Sequence, residues 1–226
     1  MKSISGRLVF LCALLAIILL APVGARAGWE PYDGFDSGTT FNSDLWQVDV
    51  SGQGNSVSVV NKQAKFVLVD PTGAVRLRFT NPESIKGVRA KVKVAKSSGD
   101  FSARIVGRVA MTPSGDIISQ GIQARPQSQA FRTFVEVDNP SGNTLYTLFE
   151  NYFNNPITIA GKWFTMTMNS PNPKTYTFSV TGQGSCSYKP TATFVEGGKT
   201  FLYIGIKSPH GEATGTAYFD DVYVLR

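Results

Sequence analysis

Apolar and polar side chains alternate along most of this chain, and that two-residue period leaves few folds open to it. Val75, Leu77 and Phe79 alternate with Arg76 and Arg78. Val88, Ala90, Val92 and Val94 alternate with Arg89, Lys91 and Lys93, and Phe101, Ala103, Ile105 and Val109 alternate with Ser102, Arg104 and Arg108. Successive side chains of a strand point to opposite faces, so each run reads as a strand with one buried and one wet face. Turn chemistry separates the runs at Asp70-Pro71-Thr72-Gly73, Asn81-Pro82-Glu83, Ser97-Ser98-Gly99-Asp100 and Pro113-Ser114-Gly115-Asp116. Further strands are expected over 117–124, 130–138, 144–150, 162–168, 175–181, 201–207 and 216–225, and Phe66, Phe79, Phe101, Tyr176, Phe178 and Phe201, which sit in strand patterns, are expected in the core. Helical periodicity is nearly absent. The pattern predicts an all-β domain, a two-sheet antiparallel sandwich, because one-sided strands suit two sheets that share a core.

The first residues read differently. Lys2 and Arg7 precede an apolar run from Leu8 to Leu20, Ala21-Pro22 ends it, and Ala25-Arg26-Ala27 has the small-x-small pattern of a peptidase site. A bilayer-crossing helix needs about 20 residues, so residues 1–27 read as a cleaved signal peptide. Residues 28–226 then form one exported domain, secreted or periplasmic, with no later segment apolar enough to span a membrane. The whole chain carries 22 Lys and Arg against 16 Asp and Glu. Lys2, Arg7 and Arg26 leave with the signal peptide, so most of that excess disappears. Weak net charge, export and the lack of a nucleic-acid motif argue against a nucleic-acid partner. Cys186 is the one cysteine outside the leader, which rules out an internal disulfide. Its Gly182-Gln183-Gly184-Ser185 approach reads as a turn.

Two terminal segments, Asp33-Gly34-Phe35-Asp36 through Leu45-Trp46 and Ala217-Tyr218-Phe219-Asp220-Asp221-Val222-Tyr223-Val224, resemble the first and last strands of the concanavalin A-like lectin/glucanase superfamily. Gly161-Lys162-Trp163-Phe164-Thr165-Met166-Thr167 resembles that superfamily's Trp-bearing strand, with Thr175-Tyr176-Thr177-Phe178-Ser179-Val180 as the strand after it. The resemblance implies a jelly-roll sandwich in which the two chain ends lie side by side. It also implies a structural calcium where those ends meet, with Asp220 or Asp221 donating alongside Asp33, Asp36 or the Gly34 carbonyl. Hard calcium takes six to eight oxygen ligands, which suits such a set.

Some superfamily members are family-16 glycoside hydrolases, whose signature is Glu, an aliphatic residue, Asp, then a second Glu about four positions after the first. Glu136-Val137-Asp138 matches its start and places both carboxylates on one strand face, but Pro140 stands where the second Glu belongs. A retaining glycosidase needs two carboxyl groups roughly 5–5.5 Å apart, and Glu150 on a neighbouring strand is the candidate substitute. His210, the only histidine, lies in a loop sequence, which leaves neither a lyase set nor a serine triad.

The basic positions form the second constellation. If strands 74–80, 87–95 and 101–110 are neighbours, Arg76, Arg78, Arg89, Lys91, Lys93, Arg104 and Arg108 make one ladder, joined by Arg132, Phe134, Glu136 and Asp138. Three uses fit it: a solvated face, internal neutralisation by Glu136, Asp138 and Glu150, or a groove for an anionic or neutral glycan. In a groove, Arg forks would bind oxyanions and an aromatic such as Tyr152 would stack on sugar. The sequence therefore points to a non-catalytic binder of a polysaccharide or cell-surface glycan, with Arg89, Lys91, Arg132, Phe134, Glu136, Asp138 and Tyr152 as ligand-binding residues. The alternatives are a diverged glycoside hydrolase that falls back on Glu136 and Asp138, and a structural subunit pairing through a sheet edge.

Overall fold

The computed structural model describes residues 28–141, 143–154, 158–172, 174–191, 194 and 201–226, so the expected signal peptide lies outside the described residues. Among the described residues the chain forms β1 (Trp29–Asp33), β2 (Trp46–Ser51), β3 (Ser56–Val60), β4 (Gln63–Leu68), β5 (Ala74–Phe79), β6 (Gly87–Ser98), β7 (Ser102–Met111), β8 (Ile117–Arg125), β9 (Ala130–Asp138), β10 (Thr144–Asn154), β11 (Trp163–Asn172), β12 (Thr175–Val180), β13 (Gly184–Tyr188), β14 (Phe201–Lys207) and β15 (Thr214–Leu225). Among the described residues the only helical turn is a 3-10 turn over Pro82–Ser84.

Two antiparallel sheets face each other. The first runs β13-β12-β11-β6-β15-β4-β3, with β1 added on β15, and the second runs β10-β9-β8-β7-β14-β5-β2. The expected sandwich is present, and the pairing of Trp29 with Leu225 closes the two chain ends on each other. The alternation explains the packing. Val75, Leu77, Ile105, Ile122, Phe131, Val135 and Ile204 fill the inner face of the second sheet, against Phe66, Val88, Val92, Met166, Tyr176, Phe178 and Phe219 from the first. Each such side chain contributes about 1.5–3 kcal/mol by leaving water. Near the N-terminal end, Trp46 packs at 4.6 Å from Phe79 and 5.1 Å from Tyr32, ring centre to ring centre. Asp33 accepts the Trp46 indole N–H at 2.7 Å, which anchors β1 to the second sheet.

Three sequence expectations change. Strands β5, β6 and β7 are consecutive in the chain, yet β6 lies in the first sheet while β5 and β7 flank β14 in the second. The proposed basic ladder is therefore divided between opposite faces of the molecule. Cys186 sits in β13, paired with Phe178, and not in a turn. Phe201, expected in the core, is only partly buried and packs with the outward cluster of Val106, Phe134 and Tyr203.

Candidate functional site

The outward face of the second sheet collects the charged half of its alternating strands, and the pairing register fixes the rows. One row crosses the sheet as Tyr152, Arg132, Gln123, Arg104, Gly205, Arg76 and Asp49. The next carries Glu150, Phe134, Gly121, Val106, Tyr203 and Arg78. A third carries Thr147, Glu136, Ser119, Arg108 and Phe201. Two adjoining cavities open along these rows and share Arg104, Phe134, Glu136, Thr144 and Lys207 in their walls, making a trough. Its floor is apolar at the centre. The Phe134 ring lies over Gly121, where an added Cβ would come within 2.2 Å of it, and it packs with Val106 and Tyr203.

The carboxylates at one end are tied to one guanidinium. Arg132 donates from Nη2 to Glu136 at 2.6 Å and from Nε to Glu150. The Tyr152 hydroxyl adds a bond to Glu150 at 3.0 Å. Burial pushes the Glu150 carboxyl up, but the hydrogen bonds from Arg132 and Tyr152 outweigh it and hold the group below its ordinary value. Asp138 is buried and accepts from the Ser119 hydroxyl at 2.6 Å, while its other oxygen has no hydrogen-bond partner. The strand ends there. Pro140, with no N–H to continue the ladder, stands in the turn after β9, and the position of a second signature Glu falls outside the sheet.

Charge at the other end is unbalanced. Asp49 serves both Arg76, at 3.0 Å, and Arg78, at 2.7 Å. Arg104 donates to the Ser102 hydroxyl at 2.6 Å and to Gln123 at 3.3 Å, both neutral groups. Arg108 lies over the Phe201 ring at 5.1 Å. Burial lowers the Lys207 ammonium below its ordinary value, and the nearby Arg104 and Arg76 lower it further.

Of the expected ligand-binding residues, the structure brings Arg132, Phe134, Glu136, Asp138 and Tyr152 together in this trough. Arg89 and Lys91 are elsewhere, on the outward face of the first sheet. The Arg89 guanidinium lies 5.2 Å from Trp29 and 4.4 Å from Tyr223, and Lys91 pairs with Asp221 at 2.5 Å. The correction follows from topology, since the chain crosses to the other sheet between β5 and β6 and again between β6 and β7. The trough also holds Lys207 and Tyr203, which the sequence reading passed over. The signal was present: in β14, Phe201, Tyr203 and Lys207 alternate with Leu202, Ile204 and Ile206.

The four aspartates expected at a calcium site each have another engagement. Asp33 accepts from the Phe35 N–H and the Trp46 indole, Asp36 pairs with Lys62 at 3.2 Å, and Asp221 pairs with Lys91. Asp220 accepts the Asp221 N–H at 2.8 Å. Burial raises its carboxyl above the ordinary value, and the Asp221 and Asp36 charges add to the rise. Among the described residues no three His, Cys, Asp or Glu side chains cluster as metal ligands.

Two antiparallel sheets packed face to face, with β1 paired to the last strand, make the jelly-roll sandwich expected of the concanavalin A-like fold. Solved structures with this arrangement include the beta-glucanase of Bacillus licheniformis, with a TM-score of 0.61 and 14% identity over 88% of this chain and 98% of the other. Porphyranase B from Zobellia galactanivorans matches with a TM-score of 0.64 and 12% identity, over 88% of this chain and 92% of its own. A prokaryotic beta-1,3-1,4-glucanase from a mouse hindgut metagenome matches with a TM-score of 0.57 and 12% identity, over 88% and 98%. No protein-family model matches this chain, and no curated protein sequence does.

Proposed function

We propose that this protein holds a polysaccharide along the trough of the second sheet and does not cleave it. The observation that carries this reading is the shared guanidinium: Glu136 and Glu150 both bind Arg132, and the Glu150 carboxyl, the candidate acid, is held below its ordinary value by that pairing. A retaining glycosidase needs one carboxyl protonated at working pH while its partner is ionised. The half-buried Phe201 ring and the exposed Tyr152 ring support binding, because sugar rings present apolar C–H faces that stack on such surfaces.

A second reading is a diverged glycoside hydrolase with Glu136 as nucleophile, and the solved neighbours favour it over a binder, since they are described as glucanases and porphyranases. Electrophoresis through gels containing β-glucan, galactan or acidic polymers tests binding, and unretarded migration in all of them removes it. Reducing-end release from the same polymers tests cleavage. Release that vanishes in Glu136→Gln overturns the non-catalytic reading.

Export through residues 1–27 belongs to the same proposal, and a mature chain beginning at Gly28 is the expected mass-spectrometric result. If calcium binds, Asp220 is the carboxylate whose raised value a cation would reverse. A calcium-dependent rise in Tm that Asp220→Asn abolishes would support that site, and an unchanged Tm would remove it.

A further inference from the structure

Resting on the trough as a binding site, we infer that its occupant is an anionic polysaccharide, with sulfate or carboxylate groups seated on Arg104, Arg108 and Lys207. These three cations line one cavity, and none has a carboxylate partner among the described residues. Arg104 and Arg76 stand two strands apart with only Gly205 between them. No side chain rises from that position, and an added Cβ would meet the Val75 carbonyl at 2.4 Å, so the floor between the two guanidinium groups stays open. The two carboxylates of the same cavity are engaged elsewhere, Glu136 by Arg132 and Asp138 by the Ser119 hydroxyl. Arg104 is held by a hydroxyl and an amide oxygen, which orient the fork without cancelling its charge.

Like charges gathered on one sheet face repel, and Lys207 registers that repulsion in its lowered value, behind the effect of burial. An oxyanion between Arg104 and Lys207 would supply the missing counter-charge through charge-assisted hydrogen bonds. The carboxylate-rich end around Glu136 and Glu150 would meanwhile disfavour an anion there. The charge is therefore polarised along the trough, which suits a polymer with anionic groups on some residues and neutral rings on others. The neutral rings would lie toward Tyr152, whose ring is exposed at the other end.

The test is affinity electrophoresis of the full mature chain against dextran sulfate, polygalacturonate, dextran and a neutral β-glucan. Dextran sulfate and polygalacturonate separate sulfate from carboxylate as the favoured anion. Stronger retention by at least one acidic polymer than by the neutral ones is expected, weakening as NaCl rises. In the double variant Arg104→Gln, Lys207→Gln that retention should fall about tenfold or more, and Arg89→Gln with Lys91→Gln on the opposite face should leave it unchanged. Should the double variant fold poorly, Arg108→Gln, whose side chain rests on an outward ring, provides the same comparison with a matching Tm. Equal retention by acidic and neutral polymers, or loss of acidic retention in the opposite-face variant, overturns the anionic inference while the trough reading stands. No retention by any polymer overturns both.

Discussion

Arg132 governs the electrostatics of one end of the trough. It satisfies two glutamates, and its guanidinium also lies 4.7 Å from the centre of the Phe134 ring. Replacing it by Gln keeps much of the length and removes the charge. Glu150 would then titrate upward, because burial and the facing Glu136 would act without the counter-ion, and a carboxyl-detected NMR titration would read the shift. The consequence for stability has a definite sign. The folded Glu150 value lies below its ordinary 4.5, so the pair contributes stability that is present above that value and lost as pH falls through the lower folded one. The Arg132→Gln protein should therefore lose about 0.5–1 kcal/mol at neutral pH, a small figure because the Glu150 side chain is well exposed to screening solvent. It should lose less on acidification than the parent, and urea melts at pH 7 and pH 3 would show the difference. Gly121 carries a steric prediction at the same scale. Alanine there would meet the Phe134 ring at 2.2 Å, so Gly121→Ala should displace the ring, cost about 1–3 kcal/mol in urea unfolding and weaken polymer retention.

Two crossovers between sheets, from β2 to β3 and from β4 to β5, meet at one end of the sandwich, and a single side chain ties them. The Asn55 amide donates to the Ser51 carbonyl at 2.6 Å and to the Asp70 carbonyl at 3.0 Å. Its oxygen accepts from the N–H groups of Val69 and Asp70 at 2.7 and 2.8 Å. These backbone groups sit at the end of β2 and just after β4, where the ladders run out, so the side chain takes the place of secondary structure. Asn55→Ala should lower unfolding stability by about 1–2 kcal/mol, with an unchanged dependence on urea concentration, since the area exposed on unfolding stays the same. The crossovers matter to the site as well. They carry β5 into the second sheet, where Arg76 and Arg78 reach the trough.

At the scale of the molecule, one apolar cluster spans both sheets, so the domain should unfold as a unit. Tryptophan fluorescence and far-UV circular dichroism are expected to trace the same urea transition, and separated midpoints would show two units. Cys186 is free and half-buried, and burial, its largest influence, raises the thiol above its ordinary value. Reducing agent should therefore leave Tm where it is. A shift in Tm with dithiothreitol would reveal a bridge between chains.

The alternation of side chains determined the strands and the buried face of each, because that period is a property of consecutive residues and of the pleat. Strands β5 to β9 stand close to where their residues alone place them, and Arg132, Phe134, Glu136 and Asp138 share an outward face because they sit two apart on β9. The partnership of strands was a different matter. Val88, Ala90 and Val92 must be buried whichever sheet holds β6, so nothing local distinguishes a strand that stays beside its predecessor from one that crosses the core. That choice rests on how two whole sheets close over one another, and it sent Arg89 and Lys91 to one face while bringing Lys207 and Tyr203, distant in the chain, beside Arg104. The charge pairing of Glu136 and Glu150 on Arg132 was likewise decided by the β9–β10 register and its bulges, which depend on contacts between segments and not on either segment alone.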